Sequence, residues 1–171
     1  LALIHTYGGY DTVYQLNNTV RFQWLHNSHC IGAAQLQILL STKEKSRKIF
    51  YTSDIGSLTT NNHYVDKTEI PNFFNDVVIM ESTYGDPKRE NKKKRSYDVD
   101  LLKTAVDTTL SRGGTAILPC FSFSRTQELL TTLYDIYGSA NDFTAKVIVD
   151  SKLSCEISKM YSNMVPDSDF D

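Results

Sequence analysis

Cysteine is scarce in this chain: Cys30, Cys120 and Cys155 stand far apart, odd in number and with no Cys-x-x-Cys pair. That excludes a disulfide-stapled secreted scaffold and a cysteine zinc knuckle, and it leads us to expect free thiols in a reducing, cytoplasmic setting. Long apolar runs are missing as well. No stretch approaches the roughly 18 residues needed to cross a bilayer, and no charged segment leads into a hydrophobic run at the start, so neither a membrane nor a secretory role is expected. Charge of one sign is lacking too: the net charge is −2. No global electrostatic footprint marks a nucleic-acid binder, and only a local patch can serve that purpose. Gly-x-Gly-x-x-Gly and Gly-x4-Gly-Lys-Ser/Thr are absent, which leaves a nucleotide-binding reading without its phosphate loop. No internal repeat or low-complexity tract occurs.

What is present suits a globular α/β protein. With 171 residues, 40% of them hydrophobic and 22% charged, the chain can bury the core of one large domain or of two small halves. It begins at Leu1 rather than Met, inside the run Leu1-Ala2-Leu3-Ile4-His5, so a piece of a longer protein is expected. Alternating apolar residues predict strands over 19–25 and 34–40, and the polar run 41–48 predicts a turn into a third strand over 49–52. Residues 76–80 are apolar enough to predict a strand buried on both faces. After Gly85 the pattern changes. Val99, Leu102, Val106 and Leu110 share one helical face, and the helix stops at Arg112-Gly113-Gly114. A strand over 115–119, a helix over 125–137, a strand over 146–149 and a last helix through Met160 follow, implying right-handed crossovers and a parallel sheet covered on both faces. The boundary between the parts falls near residue 86, giving 1–85 and 86–171.

Three acid or imidazole tips carry the chemistry. His29 lies in Asn27-Ser28-His29-Cys30-Ile31-Gly32, Asp54 in Tyr51-Thr52-Ser53-Asp54-Ile55-Gly56, and Glu81 in Met80-Glu81-Ser82-Thr83-Tyr84-Gly85. Each sits where an apolar run gives way to small residues. Strands bury their middles and present functional groups from the loops at their ends, so tips remote in sequence can converge. A His and an Asp meeting with further ligands would suit zinc or manganese.

These strings carry a resemblance. Asn27-Ser28-His29-Cys30-Ile31-Gly32-Ala33-Ala34 resembles the third metal motif of the metallo-β-lactamase superfamily in its nucleic-acid-processing branch, the β-CASP nucleases, and Tyr51-Thr52-Ser53-Asp54 resembles the fourth. Glu81-Ser82-Thr83-Tyr84-Gly85 is similar to the first β-CASP motif. Arg112-Gly113-Gly114, Pro119-x-Phe121 and Arg125-Thr126-Gln127-Glu128-Leu129-Leu130 are similar to the opening of the inserted domain. The resemblance covers nearly the whole chain and is stronger to nucleases of the cleavage and polyadenylation specificity factor type than to ribonuclease J. It implies part of an αββα metallo-β-lactamase sandwich over 1–85, followed by the first half of a β-CASP domain with a parallel sheet over 86–171. The implied activity is zinc-dependent hydrolysis of RNA phosphodiester bonds at a two-zinc centre. His29 would ligate one zinc, Asp54 would bridge both, and Glu81 would hold either a place supporting the ligands or a proton-handling, catalytic place beside the leaving group. The family's His-x-His-x-Asp-His cluster and its two later histidine motifs are not in these 171 residues. The chain alone is therefore expected to bind zinc weakly and to lack activity. Serine stands at 28, 53 and 124 where the family usually has glycine, a small-for-small exchange that matters only where the backbone needs a positive φ.

Blander readings stand beside these. His29 can be a hydrogen-bonded loop histidine, Asp54 and Glu81 can cap turns, and His5, His26 and His63 read as surface or packing residues, with His26 a support for the His29 loop. Lys88, Arg89, Lys92, Lys93, Lys94 and Arg95 form either a solvated surface or an RNA-backbone contact. Arg125, with Ser124 at the start of a helix, is either a phosphate-binding fork or a structural ion pair with Glu128 or Asp150. Tyr84, Phe121 and Phe123 are core residues or base-stacking platforms. The functional alternatives are a ribonuclease acting on single-stranded RNA, internally or from an end, and a non-catalytic β-CASP scaffold subunit of an RNA-processing complex. Homo-oligomerisation stays open.

Overall fold

The computed structural model describes residues 8–56, 67–71, 74–86, 95–138 and 145–164. The chain divides into two compact units, Leu1–Asp86 and Pro87–Asp171.

The first unit is a five-stranded sheet: β1 (Val13–Gln15), β2 (Val20–His26), β3 (Ala34–Ser41), β4 (Ser46–Tyr51) and β5 (Val77–Ile79), in that spatial order. Strands β1 to β4 pair antiparallel, and β5 joins β4 in parallel. The β3–β4 turn is tighter than the polar run 41–48 suggests, because Thr42 closes it by accepting at Oγ1 and donating its amide to Lys45 O at 2.8 Å. One face of β2 carries Phe22, Trp24 and His26. Tyr14 stacks on Phe22, Phe22 meets Trp24 edge-on, and Tyr10 stacks on His26 at 4.1 Å. Among the described residues of this unit, Leu25 and Phe50 are the buried apolar side chains.

The register explains the convergence of the loops. Strands β2 and β4 both run antiparallel to β3, and β5 runs parallel to β4, so β2, β4 and β5 point the same way. Trp24 pairs with Leu36, Leu36 with Tyr51, and Tyr51 with Ile79. The three strands thus end at one edge, and His29, Asp54 and Glu81 follow those ends.

One expectation fails here. Strand β5 is exposed rather than buried on both faces, with Val77, Val78, Ile79 and Met80 between 46% and 65% exposed. It is the last strand of the sheet, paired only with β4 among the described residues, and hydrophobicity alone says nothing about whether a covering layer is present.

The second unit contains α1 (Arg95–Ser111), α2 (Arg125–Tyr137) and α3 (Lys152–Met164). Helix α1 closes as expected, with the amides of Gly113 and Gly114 returning to Leu110 O and Thr109 O. Tyr137, buried on α2, donates to Asp107 Oδ1 at 2.9 Å and ties α2 to α1, while the Lys103 ammonium lies over its ring. Gln127, only 1% exposed, donates to Ser158 Oγ at 3.0 Å and joins α2 to α3. The expected parallel pair is absent: among the described residues neither 115–119 nor 146–149 forms a strand. Both segments instead line a cleft of about 820 Å³ with Val106, Leu129 and Leu133. Parallel ladders form where both faces are covered, and Ile117 and Ile148 are 84% and 80% exposed. No helix among the described residues is long and apolar enough to cross a membrane.

Candidate functional site

The sheet edge gathers the three tips. His29 Nε2 stands 3.9 Å from Asp54 Oδ2, with the imidazole partly exposed and the carboxylate open to solvent. Glu81 reaches the same edge: its Oε1 accepts from the Ile55 amide, next to Asp54, at 2.5 Å, and its Oε2 accepts from the Thr83 amide at 3.1 Å. These bonds to Thr83 and Ile55, with a smaller contribution from the nearby His29, hold the Glu81 carboxyl below the ordinary carboxylate range. Glu81 is therefore an ionised clasp on the Asp54 loop.

Two residues with no role assigned from sequence build the site. Asn27 is 3% exposed and lies between the His29 and Asp54 loops. Its Oδ1 accepts from the amides of His29 at 2.9 Å and Gly56 at 3.1 Å. Its Nδ2 donates to Asp54 O at 2.7 Å and Thr52 O at 3.0 Å, with Ser53 Oγ at 3.3 Å sharing a proton. Gly56 is the second: a β-carbon there would meet the Ser28 carbonyl carbon at 2.1 Å, so only glycine lets the loops approach this closely. The signal legible in sequence is the Asx turn, a side-chain oxygen bonded to the amide two residues on, which Asn27 makes with His29.

The serines at glycine positions sort themselves by backbone. Ser53 has φ 49° and Ser124 φ 64°, both left-handed, whereas Ser28 is not among the positive-φ residues. Ser53 is held there by donating to Ala34 O at 2.9 Å. Ser28 meets Thr68 through its amide and its hydroxyl. His26 pairs with Asp11 at 3.8 Å, and Tyr10, stacked on it, donates to Ala33 O at the far end of the His29 loop.

In the second unit, Arg125 forms the ion pair with Glu128 at 2.7 Å. Ser124 is buried, 7% exposed, and makes no capping bond with its side chain. The Arg125 and Thr126 amides return to Phe123 O and Phe121 O. Phe121 is exposed, as is Tyr84 of the first unit. The basic residues 88–94, His5 and His63 lie outside the described residues.

Imidazole nitrogen and carboxylate oxygen are the donors zinc takes, with bonds of about 2.0–2.2 Å. His29 Nε2 and Asp54 Oδ2, 3.9 Å apart, are the pair that would hold such an ion. The donor types fit, but the set is short: among the described residues no three His, Cys, Asp or Glu side chains group to hold a metal.

No family model matches the chain. It is 32% identical over 122 residues to Endoribonuclease YSH1 of Eremothecium gossypii, covering 71% of this chain and 14% of that protein. It is 31% identical over 131 residues to Integrator complex subunit 11 of Danio rerio, 74% of this chain and 20% of that one. With the RNase J-like protein of Methanocaldococcus jannaschii it shares 27% identity, over 81% of this chain and 31% of the relative. The chain thus spans less than a third of the length of each of these relatives. With the ordered motifs from His29 to Arg125 and these nuclease relatives together, the chain belongs to the β-CASP family of the metallo-β-lactamase superfamily.

Proposed function

We propose that this chain belongs to a zinc-dependent ribonuclease and supplies His29 and Asp54 to a two-zinc centre that hydrolyses RNA phosphodiester bonds. The first unit is then the C-terminal part of the first metallo-β-lactamase segment, and the second the N-terminal half of the inserted β-CASP domain. The observation that carries the reading is the 3.9 Å approach of His29 Nε2 to Asp54 Oδ2 at the edge where three strands end. The relatives named as endoribonucleases support the same direction.

Zinc, when bound, supplies a Lewis acid and makes a bound water acidic enough to ionise near neutral pH. The chain's own residues do the rest. His29 offers a ring nitrogen. Asp54 would offer its carboxylate to hold the metal beside it. Glu81, fastened to the Ile55 and Thr83 amides, keeps the Asp54 loop in place and would hold a supporting or proton-handling place beside the leaving group. On the second unit, a phosphate of single-stranded RNA would draw the Arg125 guanidinium from Glu128, with Ser124 shaping the start of the helix.

The test is Asp54→Ala and His29→Ala in the full-length protein, assayed on synthetic single-stranded RNA. Cleavage is expected to be lost in both. Unchanged turnover overturns the reading, and a wild-type protein with no metal-dependent cleavage favours the non-catalytic scaffold.

A further inference from the structure

We infer that Asn27 is a positioning residue that sets the separation of the two donor tips by gripping both of their loops with one side-chain amide. The inference rests on the reading of His29 and Asp54 as metal donors, and extends it to a residue that touches no metal.

The geometry leaves little freedom. A primary amide has two protons and two lone pairs. Asn27 spends both lone pairs on amides, one at His29 and one at Gly56, so its oxygen spans the two loops. Its protons go to the carbonyls of Thr52 and Asp54, fixing the backbone on both sides of Ser53. The donor-bearing residues 29 and 54 are therefore each hydrogen-bonded through the backbone to the same side chain. At 3% exposed, water cannot replace these bonds. Low dielectric raises the cost of any partner left unmet. The clamp closes further because Gly56 lies against Ser28 and His29 with no room for a side chain.

An unrestrained pair of loops would place an imidazole and a carboxylate only by chance at a distance one cation can bridge, and ordering them on binding would subtract from affinity. Asn27 supplies that order in advance. Side chains that orient metal ligands typically change affinity by about 10–100-fold when removed, and the lower figure suits a site with two donors in this chain.

The experiment titrates the full-length protein with Co(II) alone, read by its visible absorbance, beside amide NMR of the metal-free 171-residue chain. Asn27→Ala is expected to weaken Co(II) binding about tenfold and to move the His29 and Gly56 amide signals together. Leu25→Ala serves as a destabilised control: Leu25 is buried on β2 and its side chain makes none of the loop bonds, so its loss should lower stability while leaving Co(II) affinity near wild type. Asn27→Ser is the milder variant, able to satisfy the His29 amide but too short for the Asp54 loop, and it too should bind Co(II) less well. Wild-type affinity in Asn27→Ser or Asn27→Ala overturns the inference. So does an equal loss in Leu25→Ala. His29→Ala and Asp54→Ala separate the two failures: if they weaken Co(II) binding while the Asn27 variants do not, the metal reading stands and only the positioning role falls. If they bind Co(II) as wild type does, the metal reading fails and takes the positioning role with it.

Discussion

Replacing Gly56 by alanine should strain the candidate site more than any other single methyl in this loop pair. The added carbon would stand 2.1 Å from the Ser28 carbonyl carbon and 2.3 Å from both the His29 amide nitrogen and Ser28 Oγ. Carbon atoms rest about 3.5–4 Å apart, so relief takes roughly 1.5 Å of separation between the His29 and Asp54 loops. Both loops resist, since Asn27 bonds each of them and Glu81 holds Ile55. Overpacking usually costs about 1–3 kcal/mol. Backbone obstacles place this case at the top of that range. Moving Gly56 away also removes its amide from Asn27 Oδ1, worth about 1 kcal/mol. The assay is urea unfolding followed by tryptophan fluorescence, because the only tryptophan, Trp24, lies on β2 and reports the sheet unit alone. With a slope of about 1–3 kcal/mol per molar urea, the midpoint should fall by about 1 M or more. Gly32→Ala is the comparison: nothing lies within 4 Å of its added carbon, but its φ of +81° carries the left-handed penalty, about 1–2 kcal/mol. A Gly56→Ala cost no larger than that of Gly32→Ala would refute the close-approach argument. On the proposed ribonuclease reading, the same displacement should reduce cleavage by the full-length protein about 100-fold, the scale expected for an ångström of misplacement.

Three further outcomes are expected. Ser53→Ala should unfold at lower urea than Ser53→Gly by about 1 kcal/mol, since both lose the hydroxyl bond to Ala34 O but only glycine relaxes at φ 49°; equal midpoints would contradict the strain. Ser124→Gly should stabilise the helical unit by about 1 kcal/mol, read as a higher far-UV melting temperature, because Ser124 holds φ 64° without a capping bond from its side chain. A lower melting temperature would count against it. Burial and the Asp107 carboxylate push the Tyr137 phenol up to about 12, above its unfolded value of about 10. Its contribution is therefore complete below pH 10 and lost as pH climbs through 12. Alkaline unfolding followed by circular dichroism should show that loss in the wild type, and Tyr137→Phe should flatten it.

Much of this protein was legible from residue order. The apolar periodicity of 99–110 and the stop at Gly113-Gly114 located α1, alternation located β2 and β3, and the polar turn before 49–52 located the second half of β4, because helix, strand and turn patterns are local. The ends of β2, β4 and β5 were also legible, since the change from apolar to small residues at His29, Asp54 and Glu81 occurs within a few positions. Strand β1 escaped notice: with only Val13, Tyr14 and Gln15, it has too short an alternation and exists through pairing with β2.

Tertiary structure alone decided the rest. Whether an apolar segment is covered depends on residues distant in the chain, so Val77–Ile79 read as buried yet lies open, and 115–119 and 146–149 read as strands yet meet no ladder. Whether serine is strained at a glycine position depends on φ, which separated Ser53 and Ser124 from Ser28. The amide of Asn27 and the bare backbone of Gly56 acquire their meaning from loops brought together by sheet register, because hydrogen bonding and steric contact act through space while composition and periodicity are written along the chain.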